Sequence, residues 1–267
     1  MFAEKDKNVY KLVDSRPKSN HNYLIRIPSS LEDTMIRYCN HGWLLMSRRE
    51  AIHLYNPFRG DIISYTDTNK VEENFFFTSK PSSSGCFLIS ISLLFLFKII
   101  TVSTLAPGEE EWTCNKLQGN VSFMKTHNSP VLFQDAFYFL DEDGNLGKLK
   151  LEGRNVSWEV LDKPQRPCNA FHKNFLVKCG RELLSVGACG KMAWEAVTNL
   201  SNYALYLSRS SSFSVVTSPD AGNRIYFPSF RGSGIVFFSL QDSFRDLYGT
   251  KLHLNSCWIK PGWCQAL

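Results

Sequence analysis

Residues 130–149, PVLFQDAFYFLDEDGNLGKL, have the pattern of a strand, a tight turn and a second strand. Residues 136–140 and 146–151 are rich in aromatic and aliphatic side chains, which suit the half-buried surface of a β-sheet. Asp143 and Gly144 lie between them, and an Asp-Gly pair supplies the positive φ that tight hairpin turns require. The stretch therefore predicts a β-hairpin.

Short apolar runs between turn residues continue along the chain. Residues 42–47 and 51–55 predict a second hairpin, and Asn56-Pro57 ends it because proline has no N–H for the ladder. No long amphipathic helix is predicted, so the fold class is all-β. Further strands are predicted at 23–27, 75–78, 174–178, 182–186, 204–208, 223–227, 234–239 and 256–261.

Tryptophan recurs near the ends of successive strand groups, at Trp112, Trp158 and Trp194. The spacings are 46 and 36 residues, and a propeller blade of four strands occupies about 40–50 residues. The length of 267 residues therefore predicts a β-propeller of about six blades. We expect a polar lead-in at residues 1–22 and the propeller domain at residues 23–264.

Charge and cysteine content narrow the class of protein. The net charge is +5, and Lys and Arg are scattered along the sequence, whereas nucleic-acid-binding proteins usually carry a basic stripe. The eight cysteines lack zinc-site spacing, and the charged N-terminus lacks the apolar stretch of a secretory signal. We therefore expect reduced cysteines, a cytoplasmic or nuclear location, and no nucleic-acid partner.

Residues 86–102, CFLISISLLFLFKIITV, resemble a membrane span. The run is shorter than the about 20 apolar residues that a spanning helix needs, and it contains Lys98 and two serines. Two adjoining buried strands explain this composition better than a membrane helix does. We therefore expect no membrane partner.

One turn resembles the start of a calcium-binding loop. Residues 141–145, DEDGN, are followed by Glu152, which has the identity of the last ligand in such a loop. Predicted strands rather than helices flank the segment, so turn chemistry is the better interpretation. No metal site is predicted.

Candidate catalytic side chains are present without a pattern that joins them. Asp135, Glu195 and Asp220 are acids that a glycoside hydrolase could use, but each is more typical of a turn or surface. His53 and His253 lie in apparent strands and show no pairing with a nucleophile. No nucleophile elbow, zinc-protease motif or phosphate-binding loop is present, so we predict no catalytic residue and no cofactor.

Several phrases together resemble one family, the plant F-box/kelch-type proteins that carry domain of unknown function 295, also called the KIB-type β-propeller. Its blocks are similar to GWLLMS at 42–47, LYNPF at 54–58, PVLFQDAFYFLDEDGNLG at 130–147, FLVKCGRELL at 175–184, NLSNYALYLS at 199–208, GNRIYF at 222–227 and CWIKP at 257–261. These phrases consist of strand and turn residues, so they identify a fold and indicate no chemistry.

The sequence departs from this family in three places. About 40 residues precede Trp43, so we expect no F-box, and we interpret residues 27–36 as the propeller's own strand and turn. Residues 90–100 are unusually apolar. Residues 186–194 leave little room for a strand, so we expect one blade to be incomplete, with an unpaired edge.

The resemblance implies a non-catalytic propeller that holds a protein client, like the substrate-recognition part of an SCF-type F-box ubiquitin ligase. A Skp-type adaptor and a cullin would be partners only if an F-box is supplied elsewhere. Two alternatives stay open. One is a decayed family member without binding activity, and the other is a propeller hydrolase with acids around its channel.

Overall fold

The structure is a computed structural model of the chain. It describes residues 2–6, 9–13, 22–48, 51–65, 74–94, 98–126, 128–161, 175–186, 197–218, 221–227, 236–240 and 256–260. These residues form strands and turns, and their one helical segment is a 3-10 turn at Ser29–Leu31. The predicted all-β class is confirmed. No helix in the described ranges is long and apolar enough to cross a membrane.

The first sheet joins the two ends of the described chain. It consists of β1 (Phe2–Asp6), β2 (Val9–Val13), β3 (Asn22–Arg26) and β22 (Ser256–Trp258), in the order β22-β1-β2-β3. β22 pairs antiparallel with β1 and places Phe2 opposite Trp258. The expectation of a lead-in at residues 1–22 is therefore wrong for both segments that form β1 and β2. β2 pairs with its neighbours β1 and β3, whereas the second partner of β1 is β22, at the other end of the sequence, where no local pattern could indicate it.

Three further sheets are antiparallel and keep the order of the chain. In the first of these sheets the third strand ends at Asn56. The predicted hairpin is confirmed there, with Arg48 opposite Ala51. The predicted hairpin around Asp143-Gly144 is also confirmed, with Leu140 opposite Leu146. The strands are β4 (Met35–Asn40), β5 (Trp43–Arg48), β6 (Ala51–Asn56) and β7 (Asp61–Tyr65); β8 (Phe75–Phe77), β9 (Leu88–Leu94), β10 (Ile99–Leu105) and β11 (Thr113–Gln118); β12 (Val131–Phe133), β13 (Ala136–Leu140), β14 (Leu146–Glu152) and β15 (Asn155–Leu161).

The last two sheets depart from this simple order. β16 (Phe175–Cys179) and β17 (Glu182–Val186) form a hairpin. β18 (Tyr203–Leu207), β19 (Ser212–Val216), β20 (Arg224–Phe227) and β21 (Val236–Ser239) follow the order β19-β18-β20-β21, with β18 and β20 parallel. Residues 187–196 lie outside the described ranges, so the incomplete blade predicted at residues 186–194 stays a prediction.

The sheets are arranged around one axis as a β-propeller. β4 contacts β8 and β22, and β16 contacts β12 and β19, so one strand of each sheet lines the axis. Aromatic rings join adjacent sheets, and the Phe76 and Phe137 ring centroids lie 4.8 Å apart. Six sheets are described, of which four are antiparallel with four strands each. This is the predicted propeller.

The described residues of the apolar run, 86–94 and 98–102, include two strands with largely buried inner residues. β9 and β10 pair antiparallel through it, with Val102 opposite Ile91. Ile89, Ile91 and Val102 are completely buried against neighbouring sheets. Hydrophobic packing of two adjoining strands therefore explains the run, as predicted.

Residues 27–36 form the link between the first two sheets. Ile27 follows β3, the 3-10 turn at Ser29–Leu31 comes next, and β4 begins at Met35. Leu31 is completely buried, and the Thr34 hydroxyl donates a hydrogen bond of 2.7 Å to its carbonyl oxygen. The segment therefore forms a propeller turn and strand, as predicted.

Candidate functional site

The calcium-like segment is a hydrogen-bonded turn. Asp141 is buried, and its carboxylate accepts hydrogen bonds of 2.5 Å from the Asn145 backbone N–H and from the Asn145 side-chain amide. Glu152 lies at the far end of β14, where its carboxylate pairs with Lys150. Asp141 and Glu152 therefore have separate roles. Among the described residues, no three His, Cys, Asp or Glu side chains are grouped to hold a metal.

The candidate catalytic residues are not brought together. Asp135 is exposed in the β12–β13 turn with φ of 60°, while Glu195, Asp220 and His253 lie outside the described ranges. His53 is buried in β6, and its Nδ1 lies 2.9 Å from the Ser64 hydroxyl. Burial lowers the pKa of His53, which favours a neutral packing residue.

Two cavities mark the two ends of the propeller axis. Along β4, β12 and β19 and the residues just before each strand, earlier residues line one cavity and later residues line the other, so the three strands run in the same direction. We call the first cavity the narrow end and define it by Met35–Arg37, Asn74–Phe76, Lys125, 128–130, Phe139 and 209–210. We call the second cavity the wide end and define it by 38–41, Lys80, 130–132, Lys178, Gly180, Tyr203, 211–214, Trp258 and Lys260.

The narrow end is nearly filled by its own side chains. Its volume is about 40 Å³, which is water-sized rather than ligand-sized. The Arg37 Nε donates a 2.8 Å hydrogen bond to the Ser47 hydroxyl. Lys125 donates to the Asn74 side-chain oxygen at 2.8 Å and to the Thr126 carbonyl oxygen at 2.9 Å. Because Arg37 and Lys125 already form hydrogen bonds within the protein, polar side chains close the narrow end.

The wide end is an open cavity of about 480 Å³, within the range that proteins use for ligands. Trp258 forms part of its wall and is completely buried. The Trp258 Nε1 donates to the Leu207 carbonyl oxygen at 3.1 Å, and its own carbonyl oxygen accepts from the Ser211 hydroxyl at 2.8 Å. These two hydrogen bonds hold Trp258 in its position in the wall before any ligand arrives.

Four basic side chains border the wide end, and each comes from a different segment. His41 lies in the β4–β5 turn, where φ values of 52° and 78° at His41 and Gly42 fit a tight hairpin. Lys80 lies in the β8–β9 loop, where its backbone carbonyl oxygen accepts a hydrogen bond of 2.7 Å from the Ser83 hydroxyl. Lys178 lies near the end of β16, and Lys260 follows β22. The fold therefore gathers basic residues that are scattered in the sequence.

The described lining of the wide end carries a net positive charge, from Lys80, Lys178 and Lys260. No Asp or Glu belongs to the described residues that line it. Burial lowers the pKa of His41, and the positive charges of Lys80 and Lys260 lower it further. His41 is therefore neutral near pH 7, and the two lysines are close enough to act on it.

No local sequence pattern indicates this cluster of basic residues. Lys and Arg are scattered along the sequence, which we interpreted as evidence against a nucleic-acid-binding stripe, but His41, Lys80, Lys178 and Lys260 line one cavity. Their separations in the chain follow no helix or strand period, so only the closed ring brings them together. The one available hint was that each lies beside a turn or strand end, where loops of a propeller face converge.

A sequence model of the KIB1-4 beta-propeller family matches residues 9–245, which is most of the chain. The chain belongs to the KIB1-4 β-propeller family. The matched region includes β2, which we had expected to lie in a lead-in, and three of the four basic residues of the wide end. The predicted family resemblance is confirmed.

Curated relatives of this KIB1-4 propeller come from Arabidopsis thaliana. The chain is 26% identical to F-box/kelch-repeat protein At1g57790, over 98% of this chain and 81% of that protein. It is 27% identical to F-box protein At4g00893, over 64% of this chain and 44% of that protein. It is 28% identical to F-box/kelch-repeat protein At3g18720, over 51% of this chain and 36% of that protein.

The family motifs of this KIB1-4 propeller have structural roles in the fold. Asn56 is buried, and its side-chain oxygen accepts from the backbone N–H groups of Phe58 at 3.0 Å and Arg59 at 3.2 Å. Asn223 has φ of 55°, and its side-chain oxygen accepts from the Leu200 N–H at 2.9 Å. Both asparagines satisfy turn backbone, which explains the phrases without any catalytic role.

Proposed function

We propose that this KIB1-4 propeller is a non-catalytic module that holds a protein client, like the substrate-recognition part of an SCF-type ubiquitin ligase. The observation that carries the proposal is the wide end, an open cavity on a rigid propeller whose relatives are named as F-box proteins. The described residues that line both cavities include no Asp or Glu. The hydrolase alternative therefore has no acid pair to support it among these residues.

A Skp-type adaptor and a cullin enter this proposal as partners that an F-box would recruit. The propeller itself supplies the client contact, since the interface of a propeller usually lies on the loops at one face. We propose that this contact forms in the cytoplasm or nucleus.

The test is affinity purification of the tagged chain from plant extract, followed by quantitative mass spectrometry. We expect one or more client proteins at levels comparable to the bait. The matched control is Gly147→Leu, because even a Cβ atom at this position would lie 2.3 Å from the Trp158 ring. This variant is expected to misfold and to capture chaperones only.

Two outcomes separate the alternatives. Client proteins that the wild-type chain recovers and Gly147→Leu does not recover support a client-holding module. The same chaperones with both chains, and no cooperative thermal unfolding of the wild-type protein, would support the decayed copy.

A further inference from the structure

The wide end combines a positive rim with an apolar and aromatic wall. Its three lysines are exposed, and none forms an ion pair with a described residue. The walls include Val131, Leu132 and the Phe213 and Tyr203 rings. A surface of this kind favours a ligand that is anionic at one point and apolar beside it.

We propose that the wide end binds a phosphorylated peptide segment of the client, with its phosphate among Lys80, Lys178 and Lys260. This proposal rests on the proposed function, because it names the part of the client that the propeller recognises.

Charge complementarity is the first argument for an anion. Three ammonium groups from three sheets or loops border one cavity, and no described carboxylate lines it. Lysine binds phosphate as a point charge, and several converging lysines suit a dianion better than a single carboxylate. The Lys178 ammonium lies 6.0 Å from the centroid of the Phe133 ring, so an aromatic face helps to hold it near the rim.

The size of the cavity is the argument for a peptide rather than a free ion. A volume of about 480 Å³ exceeds the space of one phosphate and leaves room for flanking side chains. Ser212 and Ser214, on either side of Phe213 in β19, also line the cavity. An extended segment could therefore place its phosphate on the rim and an apolar neighbour against the wall.

The experiment uses the full chain and three fluorescent peptide libraries that differ only in a fixed central residue. This residue is phosphoserine, serine or glutamate, and binding is followed by fluorescence anisotropy. We expect the phosphoserine library to bind at least about tenfold more tightly than the serine library, since charge-assisted contacts supply the difference. Glutamate is expected to fall between them, and added salt is expected to weaken phosphoserine binding.

Two variants test the residues. Replacement of Lys80, Lys178 and Lys260 by alanine is expected to abolish the preference for phosphoserine. The matched control replaces Lys116, Lys148 and Lys150 by alanine, because these lysines lie on β11 and β14, away from the wide end. A second variant, Ser212→Asp, keeps every lysine and adds a negative charge to the lining, and it should weaken phosphoserine binding as well.

Four results would overturn the inference. The first is equal binding of the phosphoserine and serine libraries, and the second is an unchanged preference for phosphoserine in the lysine triple variant. The third is displacement of the peptide by millimolar inorganic phosphate, with no contribution of the peptide to affinity. The fourth is tighter binding of a single-stranded oligonucleotide than of any peptide library.

The inference and the proposed function can fail separately. If extract-derived clients bind equally to the wild type and the lysine triple variant, the function stands and the phosphopeptide site is wrong. If the phosphoserine library binds at the wide end but no client is recovered from extract, the site stands and the proposed function is wrong.

Discussion

At the scale of single residues, close packing explains positions that the sequence alone leaves unremarkable. Gly147 lies in β14, opposite Phe139 and Val160. A Cβ atom there would lie 2.3 Å from the Trp158 ring and 2.9 Å from the Phe123 ring. Gly147 therefore lets the Trp158 ring lie across the strand, in an edge-to-face contact with Phe123 at a centroid distance of 5.2 Å.

We predict that Gly147→Ala destabilises the protein by about 1–3 kcal/mol, because the added methyl group displaces the partly buried Trp158 ring and the buried Phe123 ring. The control is Gly85→Ala, where a Cβ atom would meet nothing within 4 Å. Urea unfolding monitored by tryptophan fluorescence measures both. Equal stability of Gly147→Ala and Gly85→Ala would show that the Trp158 ring does not occupy this position.

Cysteine reactivity provides a second residue-scale prediction. Cys39 is buried, and its thiol donates a hydrogen bond of 3.3 Å to the Trp258 carbonyl oxygen. The neighbouring Cys257 side chain and burial together raise the pKa of Cys39 well above its ordinary value. Cys114 is exposed on β11.

Iodoacetamide reacts with thiolates, so in the native protein at pH 8 we expect Cys39 to react at least about a hundredfold more slowly than Cys114. Peptide mapping by mass spectrometry gives the rate at each cysteine. The two should react alike after unfolding in guanidinium chloride. Similar rates in the native protein would mean that Cys39 is not buried at the ring closure.

At the scale of elements, closure of the ring depends on a short strand. β22 has three residues, yet its Trp258 contacts the rings of Tyr206 and Tyr226, with the Tyr206 and Trp258 centroids 5.0 Å apart. Cys257 and Ile259 on either side are completely buried in a different cluster. The strand therefore joins the sheet of β18–β21 to the first sheet.

We predict that Trp258→Phe destabilises the protein by about 1–3 kcal/mol, because the Leu207 carbonyl oxygen loses its buried donor. Trp258→Ala should cost about 3–5 kcal/mol, since it also leaves a cavity. Thermal unfolding with circular dichroism measures both, and Trp112→Phe, at a partly exposed tryptophan, should have a smaller effect. A Trp258→Ala protein as stable as the wild type would contradict closure through β22.

Much of the element level could be predicted from the sequence, because hairpins are local. Asp143-Gly144 and Asn56-Pro57 each determine a turn within a few residues, and both predictions were confirmed. β1 and β2 were missed because charged and polar residues dominate the segment, and because β1 also pairs with β22 at the opposite end of the chain. β19 was missed because Ser211 and Ser212 look like loop residues, although β19 pairs with β18.

At the scale of the whole molecule, the candidate site follows from ring closure and could not be predicted from the sequence. His41, Lys80, Lys178 and Lys260 lie in four separate segments, and each one alone indicates an ordinary surface residue. The closed propeller places their side chains around one mouth, while the narrow end is filled by hydrogen-bonded side chains. The two ends of the axis therefore differ in what they can bind.

The wide end is the surface that we expect the client to contact. Removal of the three lysines changes exposed side chains, so the fold should keep its thermal unfolding temperature within about 2 °C. The same is expected of the control variant at Lys116, Lys148 and Lys150. Any difference in partners between the two variants then reports on the location of charge rather than on stability or net charge.

The most direct measurement is therefore a three-way affinity purification from plant extract with isotope-labelled quantification. It compares the wild-type chain, the variant with alanine at Lys80, Lys178 and Lys260, and the variant with alanine at Lys116, Lys148 and Lys150. We predict that the wild type and the control recover the same client proteins and that the wide-end variant loses them at least about tenfold. Recovery of the same clients in equal amounts by all three would contradict a client contact at the wide end.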